Sequence, residues 1–164
     1  MIAGPLLLLI FGILELALVF MVSTTLETAT AQAARPIRTG ELQTSGAASA
    51  ANFKKAVCDR MNWLGSTCLA NLYVDVRTYD DFTGLRDDPS LGTSSMDPEN
   101  QCWSPGGPTD IVLVRTYYVW RIFTPLISNA LVNAGGDRRL VTAVEAFRNE
   151  PYSDAPPKGA SCNS

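Results

Sequence analysis

Apolar positions are distributed unevenly along the chain, and the pattern divides it near Arg35. From Met1 to Val22 nearly every residue is apolar, and Glu15 is the one charge. A run of about 20 apolar residues is what a membrane-spanning helix requires. Pro5 falls near the first turn, where proline is tolerated. From Ser23 to Ala34 the composition becomes too polar for lipid, yet helical spacing persists. Val22, Leu26, Ala29 and Ala33 recur as a narrow stripe of mostly small residues. The first break is Arg35-Pro36, because the residue before proline is pushed out of the helical region. A helix of about 33 residues would be ~50 Å long. Its first part suits lipid or a subunit core, and its second part suits packing on a domain.

The remaining pattern predicts a mixed domain. Arg38 to Ala51 reads as a connecting loop. Phe53, Val57, Met61 and Leu64 mark one face of a second helix, which Gly65 can end. Leu72 to Tyr79 alternates, with Leu72, Val74 and Val76 inward and Tyr73, Asp75, Arg77 and Tyr79 outward. Asp80 to Gly107 is a long loop, and Asp110 to Trp120 has the β-branched and aromatic character of a central strand. Arg121 to Asn133 reads as a short helix entered through Pro125. Gly135-Gly136-Asp137 is a turn, and Arg139 to Arg148 a third strand. The expected fold is α+β: a long N-terminal helix laid on a small antiparallel sheet, with one or two further helices and long loops. Two units follow, an assembly helix at 1–35 and a globular domain at 36–164.

Composition narrows the chemistry. Net charge is −3, so no basic field exists to hold nucleic acid. The chain has no histidine, which removes the commonest general base and metal ligand. No GxSxG, phosphate loop or metal constellation is present, so an enzyme and a cofactor are both disfavoured. The acidic pairs Asp80-Asp81 and Asp87-Asp88 lack EF-hand spacing and read as solvated loop rather than a calcium site. The 4 cysteines, Cys58, Cys68, Cys102 and Cys162, show no zinc spacing. Their even number favours two disulfides in an oxidising compartment over buried thiols in a reducing one. Of the possible pairings, the local Cys58–Cys68 with Cys102–Cys162 is favoured, each worth about 2–4 kcal/mol.

Three readings compete for the N-terminal run. A cleavable signal peptide lacks its basic start here, and the run is too long for one. A span and an assembly spine share the same residues. Glu15 would cost about 2.5–3.5 kcal/mol at mid-bilayer, so it either meets a partner, is carried neutral, or reaches an interface. Arg35 and Arg38 follow the run and nothing basic precedes it. That order places the domain in the cytoplasm, unless residues upstream of Met1 supply the balance, as the cysteines favour.

GPLLLLIFGILELALVF at Gly4 to Phe20 and AARPIRTG at Ala33 to Gly40 resemble the start of TadE-type minor pilins of the tight-adherence pilus. PGGPTDIVLVRTYYVW at Pro105 to Trp120 and AFRNEPY at Ala146 to Tyr152 extend the resemblance. It implies a prepilin inserted in the bacterial inner membrane, with a periplasmic domain and entry into the extracellular pilus. It also implies hetero-oligomeric partners: a TadF-like minor pilin, the Flp-like major pilin and the assembly machinery. Family members usually carry a processing segment and an early glutamate upstream, and Met1 is expected to lie downstream of both. Glu15 matches the family's glutamate within the apolar helix. Pro5, Gly12, Glu15, Leu26, Ala29 and Ala33 are the candidate assembly-helix residues. The expected function is assembly or initiation of the pilus through helix packing and head contacts. The alternative is a tip adhesin using the long loop with Tyr73, Tyr79, Tyr117 and Tyr118.

Overall fold

The computed structural model describes residues 3–79, 81, 101–124, 131–134 and 136–152. Helix α1 spans Ala3–Arg38, passing through Pro36 rather than stopping before it. Proline in a last turn removes a single helical hydrogen bond, and the turn closes without it. The N–H of Thr39 donates to the Arg35 carbonyl at 3.0 Å and that of Gly40 to Ile37 at 3.1 Å. Gly40 then takes the left-handed conformation that ends the helix, with φ 76°. The polar middle of α1 satisfies itself: the hydroxyls of Thr25 and Thr28 donate to carbonyls one turn back, at 2.6 and 2.9 Å.

The segment read as a connecting loop contains a short helix α2, Glu41–Thr44. Helix α3, Ala50–Arg60, starts at Ser49, whose side chain accepts from the Asn52 N–H. It buries Phe53 and Val57, and a 3₁₀ turn at Asn62–Leu64 carries the chain to a short α4, Thr67–Asn71. The Cys58–Cys68 disulfide joins α3 to α4 across a separation of 10 residues. Cys102 is also disulfide-bonded. Cys162 lies outside the described residues, as do Asp80, Asp87, Asp88 and residues 125–130 of the helix expected over Arg121 to Asn133; Arg121 instead ends the second long strand and Ile122 to Thr124 are not helical.

Strands β1, Leu72–Tyr79, β2, Ile111–Arg121, and β3, Arg138–Arg148, form an antiparallel sheet in the order β1-β2-β3. One face carries Leu72, Val74 and Val76 of β1, opposite Tyr118, Thr116 and Val114 of β2. Against this face pack Val22, Leu26, Ala29, Ala33 and Ile37 of α1, Phe53 and Val57 of α3, and Met61 just beyond it. Helix α1 therefore runs beside the sheet in the same direction as β3. Within this core, the Thr30 and Thr116 hydroxyls bond at 2.6 Å, joining helix to sheet at its centre.

Two expectations are corrected on the other side of β1. Asp75 does not face water; it is 2% exposed and forms an ion pair with the equally buried Arg115. Its carboxylate also accepts from Arg77 Nε at 3.2 Å and from the Cys102 N–H at 2.9 Å. A buried carboxylate needs such a set of donors, and the alternation of the strand could not announce it. The long loop is likewise not all surface. Cys102 to Ser104 returns along the free edge of β1, with Val76 bonded to Cys102 and Ser104 at 2.8 Å each, and buries Trp103 against Phe53. That return covers an edge that would otherwise invite pairing.

Candidate functional site

The distinctive construction among the described residues is the pair of clasps that fix α1 to the head. The first lies at Glu15, 3% exposed in the middle of the apolar run. One carboxylate oxygen accepts from the Phe123 N–H at 3.1 Å and the Thr124 hydroxyl at 3.0 Å; the other lies 3.4 Å from Trp120 Nε1. Phe123 follows the end of β2, where its N–H has no strand partner. Glu15 supplies one, and so ties the end of the sheet to the helix. The sequence left open whether Glu15 meets a partner, is carried neutral or reaches an interface; its bonded partners among the described residues lie within the chain.

The second clasp lies at the other end of the shared helix length. Tyr152 stacks on Gly40 so closely that a Cβ there would lie 2.3 Å from the ring. Its hydroxyl donates to the Gly106 carbonyl at 3.2 Å. Gln43 Nε2 donates to the carbonyls of Ile37 and Pro105, and Asn149 Nδ2 to those of Pro105 and Gly107. The Glu150 N–H reaches the Arg38 carbonyl at 2.8 Å. Three separated motifs, ARPIRTG, PGGPTD and RNEPY, thus meet at one point. Burial raises the Tyr152 phenol above its ordinary value, and the negative charge of Asp110 adds to the effect.

Between the clasps α1 buries Gly12, Glu15, Val19, Val22, Leu26, Ala29, Thr30, Ala33, Ala34 and Ile37, a regular seam at spacings of three and four. Of the candidate assembly residues, Gly12, Glu15, Leu26, Ala29 and Ala33 therefore face the chain's own head. Pro5 lies on the exposed part. The surface left for other molecules is the opposite side of the same helix, which includes Leu9, Ile13, Leu14, Phe20 and Met21, with Phe20 71% exposed. At Ser23 the outward face turns polar, continuing through Thr24, Glu27, Thr28 and Gln32. This outward surface escaped sequence reasoning because Ala3 to Met21 is apolar all round, and a helix without a polar side shows no preferred face. The tyrosine set does not make an exposed platform either. Tyr117 and Tyr118 are buried, and Tyr73 and Tyr79 are half-buried.

Helix α1 is thus apolar at one end and clasped along the rest by a small antiparallel sheet. The helix is long and apolar enough to cross a membrane. The family model described as TadE-like protein matches residues 1–35, so the N-terminal segment is similar to that family. No curated protein and no solved structure matches the chain.

Proposed function

We propose that the chain is a minor pilin-like subunit that helps to assemble or initiate a tight-adherence pilus, acting by packing rather than catalysis. In this reading residues 1–35 are the membrane and assembly helix and 36–164 the exported head. The observation that carries it is the two-sided helix. One side is committed to the head by the Gly12-to-Ile37 seam, which leaves the apolar outward side from Leu6 to Met21 exposed among the described residues. Lipid covers that side before assembly and the helices of other pilins cover it afterwards. The head belongs in the periplasm, where the Cys58–Cys68 bond is stable. The partners are TadF-like and Flp-like pilins with the inner-membrane machinery.

The test is recovery of other pilins with the detergent-solubilised full chain. Phe20→Ala removes an outward side chain and leaves the seam intact. It should cut co-purifying pilins roughly tenfold, as loss of an aromatic anchor does, while membrane retention stays unchanged. Undiminished recovery with Phe20→Ala and with Ile13→Ala would remove the helix face from the assembly interface.

A further inference from the structure

The outward face of α1 changes from apolar to polar between Met21 and Ser23, which sets the depth to which lipid can cover it. Glu15 lies about 9 Å nearer the N-terminus than Met21 at the helical rise. The head is bonded to Glu15 through Trp120, Phe123 and Thr124. Covering the helix to Met21 therefore carries this end of the head to or below the lipid boundary.

The residues there fit that depth. Trp63, Trp120 and Phe123 form a contiguous set of rings, with centroids 6.4 and 5.9 Å apart. Trp63 and Phe123 are 43% and 66% exposed. Tryptophan rings concentrate at membrane–water interfaces. Beside them, Arg121 and Arg138 stand directly opposite each other in the β2–β3 register, both exposed. Neither forms an ion pair with a described residue, and the nearby turn contributes one acid, Asp137. Like charges opposed across two strands destabilise the pair, so the arrangement favours an anion from outside. A cleft of about 490 Å³ is lined by both arginines, with Phe123, Tyr73 and Asn71. Phe123 also borders a mostly apolar groove of about 560 Å³ formed by Leu8, Phe11, Leu14 and Leu18, with the bonded Glu15 and Thr124 beside them. Basic cleft and apolar groove thus adjoin across one ring, the order in which a phospholipid presents headgroup and acyl chain.

We propose that the end of the head bearing Trp63, Trp120, Arg121, Phe123 and Arg138 docks on the surface of an anionic phospholipid bilayer. The docked subunit is held at two levels, by α1 in the hydrocarbon and by the head on the headgroups, so its axis is fixed before assembly. The inference rests on the membrane-anchored reading of α1.

The experiment reconstitutes the full chain into phosphatidylcholine vesicles, with or without phosphatidylglycerol, and with acyl chains brominated near the headgroup. Tryptophan emission should be quenched by the bromines and shielded from aqueous acrylamide, more so with phosphatidylglycerol. Arg121→Gln with Arg138→Gln should weaken the phosphatidylglycerol effect about fivefold per arginine. Trp63→Phe, at an exposed site, should remove much of the bromine-sensitive emission. A chain that resists carbonate extraction but shows no bromine quenching overturns the docking and leaves the anchor standing. A chain that is not retained overturns both. Shielding that appears only when another pilin is added, without bromine quenching, overturns the lipid assignment in favour of a protein surface.

Discussion

Gly40 shows how much one position can carry. Its positive φ excludes most side chains on conformational grounds, and the Tyr152 ring occupies the space a Cβ would need. Gly40→Ala should therefore destabilise the head by about 2–4 kcal/mol, from strain and overpacking together. Thermal unfolding followed by near-ultraviolet circular dichroism would measure it, and a loss below the error of the method would show that the Tyr152 contact gives way freely. The Asp75–Arg115 pair makes a second case. Asp75→Leu leaves a buried guanidinium without its carboxylate and should cost about 3–5 kcal/mol, of which Asp75→Leu/Arg115→Leu recovers a large part. Equal losses in the single and double variants would mean that the charge itself is not what is being compensated. Tyr152 adds a pH dependence. Its phenol is raised in the folded state by burial and by Asp110, so its contribution is complete below the unfolded value near ~10 and is lost as pH rises through the folded value. Tyr152→Phe should flatten that alkaline decline relative to the parent chain. Lys54, lowered by desolvation, acts in the opposite sense and is common to both proteins.

At the scale of elements, the disulfide holds α4 against α3 where neither helix is long enough to be stable alone. Loop closure over a separation of 10 residues predicts a loss of about 3 kcal/mol for Cys58→Ser/Cys68→Ser. Denaturant titration would register this as a lower midpoint. The elements themselves were largely legible. Helix α1 announced its inner face through Val22, Leu26, Ala29 and Ala33 because polar residues flank that stripe. Strand β1 showed itself through strict alternation and β2 through β-branched and aromatic density. What could not be read depended on distant partners. Asp75 is turned inward by Arg115, 40 positions away, and Glu15 is held by residues 105 to 109 positions away. Pro36 misled for a different reason: its effect is severe inside a helix and mild in a last turn, and only the placement of Gly40 distinguishes the two. The return of Cys102 to Gly107 into the core was hidden by its Pro-Gly composition, which resembles that of open loop.

For the whole molecule, Glu15 decides whether helix and head behave as one body. Glu15→Leu leaves the Phe123 N–H and the Thr124 hydroxyl without their acceptor in an apolar setting, a loss of about 1–3 kcal/mol. Glu15→Gln keeps an acceptor and should be milder. Hydrogen exchange at Phe123 would rank the parent, Gln and Leu chains in that order of protection. The two clasps also have a mechanical meaning. Helix α1 lies alongside β3 and is tied near both ends of their overlap, at Glu15 and at Arg38–Gly40. A pull along the helix axis therefore loads the seam in shear, and the contacts from Gly12 to Ile37 must yield together rather than peel one after another. A filament built from such subunits would pass tension through its helices while the sheets act as braces. Single-molecule pulling along the helix axis should accordingly rupture the head at higher force than pulling across it.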